Sequence, residues 1–415
     1  MTKKLIFIFL LNMIFCQKIL IPMDTKQSDH LKAYGVAFWT LKLKNNVDWL
    51  LNFRGGSFLL DGSDKIINEI VLRGVYFERI NTSELGEIYA TIDENNMDIV
   101  LLEKSPKIAV YSPPDKQPWD DAVTLALTYS EIDYDIVFDE EVLTGQLNDY
   151  DWLHLHHEDF TGQYGKFYKN YRNSSWYKKM ESDFKSTASR FGFNSVPELK
   201  KNVAQKIKKF IVNGGFMFAM CSATDSFDIA LAASSVDIAE SVYDGDGVDP
   251  AYAMKLNFSN GIAFENYQLY PSPLIYEFST IDFPSSHRPI TKSAEADYFS
   301  LFAFSAKWDP VPTMLTQCHV NTINGFMGQT TGFNRKHLKK HITILGDDGQ
   351  DLVKYIHGNV GKGTFTFLGG HDPEDYKHMV GDPPTELSLH PNSPGYRLIL
   401  NNVLFPAARK KDKKT

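Results

Sequence analysis

Three short stretches of this 415-residue chain carry side chains whose types and spacing could do chemistry. The first runs over residues 210–233. The turn Asn213-Gly214-Gly215 leads into the apolar run Phe216 to Met220, then Cys221, then a small-residue segment that reads as helical from about Thr224. A short apolar run bounded by turn signals has the pattern of a buried strand. A strand that stops on a nucleophile and turns at once into a helix holds that side chain above the sheet edge. The helix N-terminus favours negative charge, which makes the thiolate, the reactive form, more accessible. The plain alternative is a small buried core residue.

The second stretch, residues 361–375, alternates as a strand and then places His371, Asp372, Glu374 and Asp375 just past its end. A thiol nucleophile needs a base and a third group to orient that base. His371 with Glu374 or Asp372 supplies both roles, so the expected catalytic set is Cys221, His371, Glu374 and Asp372. A polar turn capping the next helix is the alternative. The third stretch, residues 152–162, puts His154 and His156 on one face of a strand by period-two alternation, with His157, Glu158 and Asp159 opening the loop. These five, with Ser222, are read as substrate contacts in the wall opposite Cys221. No cofactor is expected; the alternative is zinc on His154, His156 and Glu158, since imidazole and carboxylate are its usual ligands. Two smaller polar clusters, residues 27–30 and 328–332, read as a helix N-cap at Ser28 or Asp29 and as a turn. Residues 244–249 have the spacing of the start of a calcium loop without its distal Glu, which reads as a solvated acidic turn.

The elements that must position these groups alternate between strand-like and helix-like segments. Alternation of this kind predicts an α/β fold with a mostly parallel, doubly wound sheet, ligands binding beyond the carboxyl ends of the strands. An N-terminal α/β block spans 17–105, and the core takes 106–240 and 351–408. Residues 241–350 break the alternation with many prolines and aromatics, and read as a loop-rich insertion or cap. All three chemical stretches follow strands, so parallel strands should bring them to one edge.

The strand–Cys–helix at Cys221 and the late Gly369-Gly370-His371-Asp372-Pro373-Glu374-Asp375 resemble the class I glutamine amidotransferase-like superfamily. That resemblance implies a flavodoxin-like core, Cys221 as nucleophile, His371 as base and Glu374 as the orienting acid, the last offset by one extra residue. Glutamine-hydrolysing members carry Gly-x-Cys-x-Gly, where this chain has Ala219-Met220-Cys221-Ser222-Ala223. Over its length the chain also resembles an exported bacterial family commonly labelled asparagine synthetase B, through residues 19–35, 152–168, 218–232 and 369–376. The activity so implied is cysteine-dependent hydrolysis or amide-nitrogen transfer on an amide. The alternative is a non-catalytic periplasmic protein that binds a carbohydrate, a peptide or a metal.

Composition fits a folded protein, 43% hydrophobic and 13% aromatic, and the net charge of −8 argues against a nucleic-acid binder. Its partner is expected to be a small molecule, carbohydrate or peptide. Residues 1–16 pair Lys3-Lys4 with an apolar run too short to span a bilayer, the pattern of a signal peptide. The mature protein is then periplasmic or secreted with no transmembrane segment, or, less in keeping with Phe15, held by lipid on Cys16. Cys221 and Cys318 would remain, and an oxidising compartment would permit them to pair. Residues 409–415 read as a basic tail.

Overall fold

The computed structural model describes residues 18–115, 117–282, 293–377 and 379–408. Residues 1–16, expected to be a signal peptide, with Cys16, and the tail 409–415 lie outside them. Among the described residues no helix is long and apolar enough to cross a membrane.

The N-terminal strands β1 (Lys18–Ile21), β2 (Val47–Leu51), β3 (Ser57–Asp61), β4 (Glu78–Ile80) and β5 (Asp98–Leu102) form one sheet in the order β4-β1-β3-β2-β5. Every pairing in it is antiparallel. The helix His30–Lys42, capped by the Asp29 carboxylate on the Lys32 N–H as the sequence suggested, packs against this sheet.

The larger sheet holds β6 (Ile108–Tyr111), β7 (Asp135–Val137), β8 (Trp152–Leu155), β9 (Phe216–Met220), β10 (Tyr298–Leu301), β11 (Thr322–Asn324), β12 (Phe333–Asn334), β13 (Thr343–Asp347), β14 (Leu352–Val360) and β15 (Gly363–Leu368). Its order is β11-β10-β13-β14-β15-β9-β8-β6-β7, with β12 on β14. The run β15-β9-β8-β6-β7 is parallel. The other half is antiparallel.

The expected mostly parallel, doubly wound, amidotransferase-like sheet is therefore corrected to a mixed α/β architecture built on one antiparallel and one mixed sheet. Connection length is the physical reason. A parallel neighbour needs a crossover of a dozen or more residues, yet Gly361-Lys362 alone joins β14 to β15, with Val360 paired to Gly363. Residues 52–56 likewise turn β2 back on β3.

Alternation along the parallel strands feeds two cores. Val110, Trp152, Phe218 and Met220 face the helices His30–Lys42, Ala122–Tyr129 and Pro394–Leu404. Ala109, Leu153, Leu155, Met217 and Ala219 face the helices Val196–Val212 and Ser222–Ala232. Residues 241–350 do more than cap this framework: they contribute β10 to β13 to the sheet. The 244–249 turn is tied locally, with Asp249 accepting from the Ala251 N–H and pairing with Lys255.

Candidate active site

β8, β9 and β15 run side by side in the same direction, with Leu155 opposite Ala219 and Met220 opposite Leu368. Their carboxyl ends thus deliver the 156–159 loop, Cys221 and His371 to one place. Cys221 sits between β9 and the helix Ser222–Ala232 at φ 51 and ψ −139. A non-glycine residue there is strained by about 1–3 kcal/mol and persists only where its surroundings hold it. Here its N–H donates to the Gly370 carbonyl at 3.1 Å, and its own carbonyl accepts from the Thr224 hydroxyl at 2.7 Å. The thiol is 4% exposed.

Cys221 Sγ accepts from the Gln329 N–H at 3.4 Å. Burial pushes the thiol up, but the adjoining His371 ring and the Gln329 and Ser222 N–H groups outweigh it, leaving the thiol below its ordinary value. For His371 burial opposes the charged ring, yet Asp120 and the Cys221 sulfur overcome it and raise the ring to about 9. Asp120 Oδ1 stands 3.6 Å from His371 Nε2. That separation makes an ion pair rather than a hydrogen bond. The two shifts run in the directions that favour a thiolate beside a charged imidazole, with a carboxylate behind the ring.

The orienting acid is where structure and sequence part. Glu374 turns away and meets His390 Nδ1 at 3.1 Å. Asp372 is buried, accepts from the Glu374 N–H at 2.9 Å and faces the Tyr396 hydroxyl, whose titration it joins burial in pushing up. Asp120 supplies the charge instead. It lies in the segment that follows β6 and precedes the helix Ala122–Tyr129, beyond a carboxyl strand end on the shared edge. Its neighbour Asp121 caps that helix, accepting from the Val123 and Thr124 N–H groups at 2.8 and 2.9 Å. An Asp before a helical run was the available signal.

Asp121 also organises the histidines. Its two oxygens lie 3.3 Å from His154 Nε2 and 3.3 Å from His156 Nδ1. Burial alone would raise this carboxyl, but the two imidazoles hold it well below the usual range. His154 Nδ1 donates to the Phe218 carbonyl at 3.1 Å, and its Nε2 faces the Asp121 carboxylate without a hydrogen bond. Burial lowers His156 to about 4 against the pull of Asp121. A ring lowered that far is neutral near pH 7. His157 stacks on His156 with ring centres 4.0 Å apart, and both rings lie against His371.

The remaining expected substrate contacts are engaged within the fold. Asp159 accepts from the N–H groups of Thr161, Gln163 and Gly165 and so folds its own loop. Ser222 donates to the His157 carbonyl at 2.9 Å. Glu158 is buried and raised to about 8 by that burial, with its carbonyl accepting from Ser226. The zinc alternative on His154, His156 and Glu158 is not the grouping seen: nitrogen and oxygen atoms converge in His156, His157 and His371, and in Asp121, His154 and His156. Both described cysteines are free thiols.

Residues 328–332, read as a simple turn, form the roof. Besides its N–H on the sulfur, Gln329 donates its side-chain amide to the carbonyls of Gly165 at 2.7 Å and Tyr276 at 3.2 Å. Thr330 donates to the buried Asp225 at 2.8 Å. A Cβ on Gly328 would fall 3.2 Å from Cys221 Sγ and 3.0 Å from the His371 backbone nitrogen, so any other residue would press the roof a few tenths of an ångström off the sulfur. Beside the site, a cavity of about 600 Å³ opens between residues 112–115, 117 and 118 on one side and Trp176 on the other. Trp119 stands between Trp176 and His157.

No family model matches this chain. No curated protein matches it in sequence. Among solved structures, two cytoplasmic proteins from Salmonella typhimurium each align with 73% of this chain and the whole of their own, at 10% and 11% identity and a TM-score of 0.34. A β-galactosidase from Rahnella aligns with 64% of this chain at 11% identity and a TM-score of 0.24, and the chain spans 29% of that enzyme. Likenesses this distant assign no activity, and the chemistry must be argued from the site.

Proposed function

We propose that this protein is a cysteine-nucleophile enzyme that hydrolyses an amide or transfers its acyl group, with Cys221 attacking, His371 moving the proton and Asp120 holding His371. The observation that carries this reading is the strained Cys221 at a strand end, in contact with a histidine that has a carboxylate behind it. Strain of that kind clusters where geometry serves chemistry, and nucleophile, base and orienter are the three parts such chemistry needs.

In the first step the thiolate adds to the amide carbonyl and His371 gives its proton to the departing nitrogen, leaving a thioester on Cys221. In the second, water or another nucleophile loses its proton to His371 and attacks the thioester, which releases the acid or transferred acyl group and restores the thiolate beside the protonated ring. The Gln329 and Ser222 N–H groups, aimed at the sulfur at rest, are donors for charge developing beside it.

Alkylation distinguishes this from an inert core cysteine. Cys221 is nearly sealed, whereas Cys318 is partly exposed. Treated with iodoacetamide at neutral pH and mapped by peptide mass spectrometry, the folded chain is expected to label at Cys221 before Cys318. His371→Gln should reverse that order. Labelling of Cys318 first in the unaltered protein would overturn the reading.

A further inference from the structure

The mechanism above leaves one buried atom unused. His156 is 1% exposed and neither of its ring nitrogens has a hydrogen-bond partner; Nδ1 lies 3.3 Å from Asp121, and Nε2 is paired with no carboxylate among the described residues. A buried lone pair without a donor costs free energy unless something else satisfies it. Its surroundings are two more imidazoles. His157 and His371 have ring centres 4.0 and 4.6 Å from that of His156 and 4.4 Å from each other. One nitrogen from each of the three rings lies within 4.8 Å of the others.

We propose that His156, His157 and His371 form a binding site for a divalent cation of the zinc class, and that filling it withdraws the base from Cys221. The inference rests on the reading of Cys221 and His371 given above. The donor set selects the ion: three imidazoles and no hard oxygen suit zinc rather than calcium or magnesium. Zinc–nitrogen bonds of about 2.0–2.1 Å would require the His156 and His157 rings, stacked at an interplanar angle of 13°, to turn until their lone pairs converge on the ion. The carboxylates behind the ligands are those a metal site uses. A ligating histidine normally has its other nitrogen on a carboxylate or carbonyl, which fixes the ring and raises its basicity. Asp121 does this for His156, and Asp120 stands against His371. Three protein ligands would leave zinc a fourth, open position. With its imidazole on the ion, His371 could neither hold nor return the proton that the Cys221 cycle requires.

The test uses the full chain freed of metal. Titrated calorimetrically with Zn²⁺, the unaltered protein and Cys221→Ser are both expected to bind one equivalent. His156→Gln and His157→Gln should each weaken binding at least about tenfold, the scale on which even outer partners of a metal act. Saturating Zn²⁺ should slow alkylation of Cys221 and EDTA should restore it. Absence of saturable binding would overturn the proposal, as would both glutamine variants binding like the parent. Zinc bound without slower alkylation would overturn its second half. If His156→Gln does not fold by circular dichroism, His157→Gln decides, since that ring is only partly buried. The two readings fail separately. Metal-free protein that labels Cys318 first removes the nucleophile and leaves the zinc stoichiometry to be judged. A reactive Cys221 in a chain that binds no zinc removes only the metal.

Discussion

Access to Cys221 is set by the roof, and Gln329→Ala puts a magnitude on it. The Gln329 side chain ties the roof to two carbonyls, Gly165 and Tyr276. A net contribution of about 1 kcal/mol per hydrogen bond makes the pair worth about 2 kcal/mol to the closed position. Since 1.4 kcal/mol is a factor of ten, removing both raises the open fraction about 30-fold. Cys221 is 4% exposed, so iodoacetamide reaches it through the open form and the labelling rate should rise by about the same factor. The assay is pseudo-first-order alkylation followed by intact mass, with Cys318 labelling as the internal control. A urea melt on the same sample separates local from global opening. The reasoning is refuted if Gln329→Ala labels Cys221 within twofold of the parent. It is equally refuted if Cys318 labelling rises in step, which would mark a general loss of stability.

Three further outcomes follow from the same structure. Asp120→Asn should slow Cys221 alkylation by at least about tenfold, below the usual 10²–10⁴ of an acid–base group because the base itself remains, whereas Glu374→Gln should leave the rate unchanged; equal effects would return the orienting role to Glu374. Lys200 and Asp139 are fully buried and bonded at 2.9 Å, with Tyr111 as a third member, so Lys200→Met, which strands the carboxylate, should cost about 3–5 kcal/mol by urea denaturation. Burial lowers Lys354, which donates to the Phe326 and Thr331 carbonyls under the roof, from 10.5 to about 8. Between those values the unfolded chain binds more protons than the folded one, so stability rises with pH. The contribution is full above the unfolded value and lost as pH falls through 8. Subtracting the urea midpoints of Lys354→Met from those of the parent should isolate that slope, and a flat difference would contradict it.

The convergence of Cys221, His371 and the 156–159 loop was legible because each follows a strand, and β8, β9 and β15 proved to be parallel neighbours. The third acid was misread through its spacing. Glu374 looked like a partner for His371 by sequence proximity, but Asp372 folds the intervening turn by accepting from the Glu374 N–H, which sends that side chain to His390. Asp120 was hidden for the opposite reason: about 250 residues separate it from His371, and it lies just ahead of a helix that begins at Ala122, where an acidic residue reads as a cap. The excess of parallel strands came from reading alternation without connection length. Two residues between β14 and β15 already excluded a crossover. Gln329 carried no signal at all, because a backbone N–H aimed at a sulfur can belong to any residue type.

The strained backbone at Cys221 has an evolutionary consequence. Glycine reaches positive φ without steric penalty, so Cys221→Gly would relax the turn. Chains settle just above the stability they need, and a neutral change that adds stability is readily accepted. Position 221 therefore sits beside a downhill substitution one codon base away. A lineage that had stopped using the thiol would be expected to take that step. Populations of related sequences thus record, at this one position, whether the sulfur is still under selection: cysteine kept against the gradient where it is, and glycine appearing first where it is not.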